Sequence, residues 1–423
     1  MNEKFLQFIW KHKLFNINNL QTTSNEKIEI LELGEQNFNA GADFLNAKIK
    51  INEVEWCGNV EIHQNSSNWY THKHEINPSY DNVILHVVYN HDVVVRNSKN
   101  QIIPTLILQF NENLYKNYEN LLKNEKIIPC QSEISKINKF FLLQFSKKLL
   151  TERLMKKSKN ILEILEKNYF HWEDACYQLL ARNFGFKTNS ETFVRLANSL
   201  PLNVILKHKN NLFQIEALLF GQAGMLSQLI DNDDYFSHLQ QEYKFLQHKY
   251  NLKPVEFFEW KFLRLRPANF PTIRIAQFAS LLHYSHFLFS NFLNIKEIND
   301  LFNLFSTEIS EYWKTHYQFG KISKSKNKNL GKDAYNSSII NTLSPILYTY
   351  GKVKDDEYFV EKSYQILEKI EAEDNFITKD WEKVGIILRN AFESQAFLEL
   401  KNEYCTQKRC LDCEIGKEIL TKI

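Results

Sequence analysis

The chain has 423 residues and carries 52 Lys and Arg against 50 Asp and Glu, a formal charge of +2. No global field therefore recruits nucleic acid or an anionic membrane, and any basic surface has to be local. Apolar residues make up 43%, with 32 Phe and 19 Tyr but only 11 Gly and 8 Pro, which excludes extended disorder and implies two or three domains rather than one core.

The opening MNEKFLQFIWKHKLF is too short and too interrupted by charge for a signal peptide, and no apolar run reaches the ~18 residues of a membrane span. The six cysteines, three of them close to the end, do not have the distribution of a secreted disulfide framework. A soluble cytoplasmic protein is the expectation. Residues 3–15 have helical spacing (Phe5 with Ile9, Leu6 with Trp10), and residues 27–33 alternate as a strand.

From Leu45 to Ile51 and again from Val54 to Ile62, apolar residues recur every second position around the turn Asn52-Glu53, which predicts a β-hairpin with one buried face. Pairing Ile51 with Val54 carries Asp43 to the open end of the hairpin, beside Glu61 and His63. A strict two-residue turn leaves Asp43 and Glu61 on opposite faces. One bulge, or a three-residue turn, brings them to the same face. Residues 65–82 read as a loop with a short helix, residues 83–89 as an apolar strand, and residues 93–96 with 102–109 as a second hairpin through Asn97–Asn100.

The period turns helical near residue 112 and stays so, with helices expected over 133–150, 151–168, 171–183, 191–200, 214–229, 235–250, 272–293, 336–350, 357–371 and 380–401. No internal repeat of constant period appears. The predicted fold is therefore α+β, with a mixed or antiparallel sheet domain over 1–111 and a larger mainly helical region over 112–423 that ends in a Cys-rich segment. Residues 321–332, KISKSKNKNLGK, hold five lysines and no acid, the reading being a solvated loop with phosphate contact as the alternative.

The stretch from Gly34 to His91 collects Asp43, Glu61, His63, His72, His74, His86 and His91, five of the chain's 13 histidines. The strings GADFLNAKIKI, WCGNVEIHQNSSNWYTHKHEINPSYDNVILHVVY, LRLRPANFPTIRIAQFASLL and YCTQKRCLDCEIG together resemble, over essentially the whole chain, an uncharacterised bacterial family known as a domain of unknown function. That family's usual Gly-Pro-Asp-Phe reads Gly41-Ala42-Asp43-Phe44 here. A more distant resemblance is to the PD-(D/E)XK nuclease superfamily: Asp43 stands for its aspartate, Glu61 for its acidic residue and His63 where it has lysine, while Ala42 replaces its proline.

The nuclease resemblance implies divalent-metal-dependent cleavage of a phosphodiester, with nucleic acid as the partner. Two carboxylates supply hard oxygen ligands to Mg²⁺ or Mn²⁺, and a neutral His63 orients or deprotonates the attacking water. A rival reading joins His72 and His74 with His63 or His86 as three imidazoles for Zn²⁺ or iron in a cupin-like or hydrolase site. In that comparison His86, within an apolar run, reads as a core histidine. A third reading is a non-catalytic interaction or scaffold protein whose histidines and cysteines are structural.

Cys405-x4-Cys410-x2-Cys413 has the spacing of three metal ligands, for zinc or an iron–sulfur cluster, with Cys176 or Cys130 preferred over Cys57 as the fourth. The competing reading is reduced thiols packing a last helix. One upstream and three downstream cysteines also resemble the cluster of some PD-(D/E)XK nucleases. In LRLRPANFPTIR, Arg264, Arg266 and Arg274 are candidates for a phosphate or carboxylate clamp, with ion pairing between helices as the alternative.

Overall fold

The structure, a computed structural model, describes residues 1–421 apart from residue 286. It opens with helix α1, Glu3–Lys11, started by Asn2, whose side chain accepts the Phe5 N–H at 2.9 Å, and by Glu3 in the first turn. Phe5, Leu6, Phe8, Ile9 and Trp10 are all buried, so this short helix is held by packing rather than by length.

Six strands follow: β1 Ile28–Glu32, β2 Glu35–Gln36, β3 Phe44–Ile51, β4 Val54–Asn65, β5 Val83–Asn90 and β6 Thr105–Ile107. They lie in the order β1-β3-β4-β5-β6, with β2 on β3. β1/β3 and β3/β4 are antiparallel, whereas β4/β5 and β5/β6 are parallel. A parallel neighbour needs a crossover; here residues 66–82 supply it, including the single-turn helix α2, Asn68–Thr71. Buried on nearly all its length, β5 reads VILHVV without alternation, as a strand covered on both faces does.

The hairpin over residues 93–109 contracts to one bridge, Arg96 with Ile102, and Thr105–Ile107 runs parallel to β5 instead. Two local causes act. Asn97 folds its own turn, its Oδ1 accepting the N–H groups of Lys99 and Gln101, and Pro104 has no N–H to lend to a ladder.

The chain packs as two compact units, one of residues 1–145 with 382–386 and 400 onward, the other of 146–381 with 387–399. Thus the sheet-bearing unit reaches past residue 111 and takes in both helix α3, Glu112–Lys123, and the Cys-rich end. Leu114, Tyr118 and Leu121 of α3 are buried, and Tyr118 stacks on Phe5 at 5.2 Å between ring centroids. The Lys408 ammonium donates to the Leu122 carbonyl, and Gly416 of the last helix, Glu414–Thr421, lies so close to the Cys410 carbonyl that a Cβ would sit 2.1 Å from it.

The second unit is mainly helical, with one two-stranded antiparallel sheet of His316–Gln318 and Lys321–Ile322. Nothing in residues 139–167 breaks a helix, so the two helices expected over 133–150 and 151–168 are one, Lys139–Lys167. Pro345 does lie in a helical path, and the wide turn Ile339–Leu343 just before it absorbs the hydrogen bond that the ring cannot make. Helix Leu212–Gln222 stops short of 229 at Gly224, whose φ of +70° and 2.2 Å approach of a would-be Cβ to the Val255 carbonyl admit only glycine. Among the described residues no helix is long and apolar enough to cross a membrane.

Candidate metal centre

The hairpin turn is the two-residue one, with Ile51 opposite Val54 and Asn52 left-handed at φ +52°. The register then slips between Phe44 and Ala47, where Asn46 takes φ +57°, so that Phe44 faces Val60. That bulge is what puts Asp43 and Glu61 side by side. Glu61 Oε2 accepts the Asp43 N–H at 3.0 Å, Asp43 Oδ2 accepts the Ile62 N–H at 3.0 Å, and Gln7 of α1 donates to Asp43 Oδ1 at 2.7 Å.

His63 is the middle of a row of imidazoles. Its Nε2 is 3.1 Å from His72 Nδ1 and 3.5 Å from Glu61 Oε1, while its Nδ1 meets His86 Nε2 at 2.8 Å. His74 Nε2 lies 3.2 Å from Glu61 Oε1, within ion-pair reach but not aligned as a hydrogen bond. Among the described residues, the ligand atoms of His63, His72 and His74 all fall within 4.8 Å of one another.

The short crossover explains how His72 and His74 turn to one place. Asp92 accepts from the Ser66 and Ser67 hydroxyls and from the Ser67 N–H, anchoring the start of α2. His72 closes α2, Lys73 takes the left-handed conformation at φ +61°, and His74 begins the next turn. So the pair is not extended, as an isolated His-x-His pair suggests; the left-handed residue between them swings both rings to one side. Trp69 and Tyr80 wall the site, Tyr80 stacked on His74 at 3.7 Å.

Burial dominates the electrostatics of the site. Burial, followed by the neighbouring Glu61, pushes the Asp43 carboxyl up to about 7, and burial pushes Glu61 up to about 8. Burial, then His86, His72 and His74, hold His63 far below the usual imidazole range, and burial lowers His74 and His86 likewise. Both nitrogens of His74 and Nδ1 of His86 are buried without a hydrogen-bond partner, which is costly unless something else occupies them. Neutral imidazoles and orphaned ring nitrogens suit a transition metal: ligands at ~2.0–2.1 Å in a tetrahedron stand ~3.3 Å apart, close to the 3.1, 3.2 and 3.5 Å separations here. Glu61, His63 and His74 are buried and His72 is exposed, so a ligand enters on the His72 side.

Gln7, Trp69 and the Asp92 anchor carry no signal in the sequence beyond their types. His86 carries one, its place in an apolar strand: it is fully buried, as a core histidine is, and its Nε2 meets His63 Nδ1.

The cysteines divide by unit. Cys130, Cys405, Cys410 and Cys413 are all buried in the first unit. Burial, then Cys413 and Cys410, push Cys130 up to about 12. Burial also pushes Cys413 up to about 12, opposed by the N–H groups of Gly416 and Ile415, which hydrogen-bond its sulfur. Cys176 is buried in the second unit beside Glu173, and Cys57 is exposed on β4. Of the two expected fourth members, Cys130 shares that unit and Cys176 does not; among the described residues the thiols form no group of three whose sulfurs lie within 4.8 Å of one another.

The three arginines belong to the second unit. Arg264 and Arg266 are exposed, whereas Arg274 is buried and among the described residues forms no ion pair: it donates to Gln277 and Asn269 and lies 4.3 Å over the Phe186 ring. No curated protein and no solved structure matches the chain. A family match covers residues 3–376, and the chain belongs to that family, Protein of unknown function (DUF2851).

Proposed function

We propose that this chain is a metal-dependent phosphodiesterase, a nuclease, whose metal is a transition ion such as Zn²⁺ or Mn²⁺ held by His63, His72 and His74 with Glu61 alongside. Three imidazole nitrogens within 4.8 Å of one another, with Glu61 Oε1 3.5 Å from His63 Nε2 and 3.2 Å from His74 Nε2, carry the reading. Mg²⁺ takes near-octahedral oxygen ligation and fits this set less well than Zn²⁺ or Mn²⁺. When bound, the metal supplies charge against a phosphate and acidifies a water. Ligation through His63 Nε2 places its proton on Nδ1, donated to His86 Nε2, the outer hydrogen bond that fixes a ligand's ring. Asp43, anchored by the Ile62 N–H and Gln7, is the carboxylate left to orient the nucleophile.

Phosphodiester is favoured as the substrate class by order in the chain. A helix, a hairpin bearing Asp43 and Glu61-x-His63, a crossover and a parallel strand follow one another as in the PD-(D/E)XK core. The parallel pairs β4/β5 and β5/β6 depart from the antiparallel double sheet of a cupin, so the imidazole ligand set is what remains of that alternative. Burial of all but His72 favours a second reading, a structural metal in a non-catalytic protein. Incubating the purified chain with labelled DNA, RNA and bis(4-nitrophenyl) phosphate separates the two. Cleavage that needs Mn²⁺ or Zn²⁺ and stops with a chelator is expected; tight metal binding without hydrolysis of any of the three selects the structural role.

Cys130, Cys405, Cys410 and Cys413 are the candidate ligands of a second metal group, zinc or an iron–sulfur cluster, that ties the C-terminal segment into the first unit; burial of four thiols from distant parts of the chain supports this, and binding has to draw their sulfurs closer than they stand here. Metal–thiolate bonds couple to folding free energy where packing alone leaves a terminus to fray. Elemental analysis of anaerobically purified protein should find zinc or iron lost together in Cys130→Ser and Cys413→Ser but kept in Cys176→Ser. Equal metal content in all three variants removes the second centre. None of the six cysteines is in a disulfide, which supports a reducing compartment such as the cytoplasm.

A further inference from the structure

The second unit holds a cavity of 450 Å³ whose wall includes Arg266, Arg274, Lys326, Lys328 and Lys332 against one acid, Asp333. Three of these cations come from the lysine-rich stretch 321–332, and that stretch is pinned rather than loose. The Gln277 amide donates to the Lys328 and Asn329 carbonyls while its oxygen accepts from Arg274.

Two of the cations are buried without a counterion. Arg274 is 7% exposed, its guanidinium held by the Asn269 and Gln277 side-chain oxygens, and its Nε has no partner. Lys328 is 5% exposed, donates to the Trp313 and Lys314 carbonyls, and sits 4.1 Å over the Tyr317 ring. Among the described residues neither has a carboxylate within ion-pair reach; Lys332 does, in Glu371 at 2.7 Å. Buried charge without an opposite charge is expensive, and here it borders an open cavity of the size that accepts a nucleotide. What would neutralise it is an anion from outside.

We propose that this cavity binds a phosphate group, borne either by a nucleotide or by a single-stranded nucleic acid. Arg274 and Lys328 supply charge from the buried wall, and Arg266 and Lys326 close on the phosphate from the exposed rim. Phe186 and Tyr317, already under cations, give the base an aromatic neighbour. The inference uses residues of the second unit alone and does not depend on the metal centre.

Fluorescence anisotropy of a labelled oligonucleotide with the full chain, competed by pyrophosphate, ATP or unlabelled strand, tests it at about 50 mM salt. Arg274→Gln, which keeps an amide in place of the charge, should weaken binding ~10-fold or more. The double variant Arg266→Ala/Lys326→Ala, at exposed positions that do not threaten folding, should weaken it ~10-fold and lower the salt slope by about 2. Arg264→Ala, exposed and outside the cavity wall, should leave it unchanged. Competition by ATP or pyrophosphate identifies a nucleotide site, and competition by the strand alone a strand site. A folded wild-type chain that binds none of the probes, or binding untouched by both Arg274→Gln and the double variant, overturns the proposal.

Discussion

His63→Ala and Glu61→Gln are expected to lower affinity for Zn²⁺ by more than 100-fold and to abolish metal-dependent cleavage, while His86→Ala lowers affinity only by about 10–100-fold, the range for an outer partner. The gradation follows from geometry. His63 Nε2 lies among Glu61 Oε1 and His72 Nδ1, so its removal takes out the group shared by the set. Glu61→Gln keeps the shape and the acceptor for the Asp43 N–H but removes the ionisable carboxyl whose Oε1 lies within 3.5 Å of two imidazoles. His86 touches the site only through His63 Nδ1, and its loss frees the ring to turn without deleting a ligand atom. Competition with a chromogenic chelator gives the affinities. Equal, small effects of all three changes would mean that the imidazole row binds no metal.

Why was the convergence readable at all? Period two on either side of Asn52-Glu53 gave the hairpin, and the apolar run 83–89 gave its third partner. What the pattern alone left open was the side on which Asp43 falls, because one residue of slip inverts every side chain on a strand. Asn46 resolves it: asparagine tolerates the left-handed conformation, and at φ +57° it opens the bulge. Similarly, Lys73 between the two histidines is an unremarked surface lysine in sequence, yet its φ of +61° aims both rings. Backbone turns made by residues other than glycine leave little trace in composition, and here they decide the site.

The division into units was less legible, for a related reason. Helical period from residue 112 onward is continuous, but period reports which face is buried and not against what. Tyr118 on α3 meets Phe5 on α1, far away in sequence, and the Cys-rich end returns to the same unit through Lys408 on Leu122. Likewise, Cys130 and Cys176 are equivalent by spacing arguments, and only tertiary placement separates them. The arginines show the converse. LRLRPANFPTIR pointed to a cluster, but Arg264 takes φ +64° in an exposed turn, Arg274 is buried among amides, and the lysines that share the cavity with it come from another segment.

Trp69→Ala should destabilise the first unit by about 3–5 kcal/mol, the range for deleting a buried Trp, and lower metal affinity in the same variant. Trp69 is fully buried, and its Nε1–H donates to the Arg96 carbonyl at 2.9 Å. It packs in one cluster with Ala42, Tyr80, Val83, Val95 and Ile103, and its ring lies against both His74 and His86 at 5.2 and 5.4 Å. Truncation therefore leaves a cavity, an unpaired buried carbonyl, and two imidazoles without a wall on one side. Trp69→Phe keeps an aromatic wall but loses the hydrogen bond, and should cost about 1–2 kcal/mol with the metal affinity nearly kept. Urea unfolding should show a lower midpoint for the transition that releases metal, and the Co²⁺-substituted absorption spectrum reports ligand geometry in the folded protein. Because a chain of two compact units need not unfold in one step, the transition is assigned by metal release rather than by total signal. A Trp69→Ala protein with wild-type midpoint and spectrum would show that the imidazole row is positioned by β4 and β5 alone, without the aromatic wall.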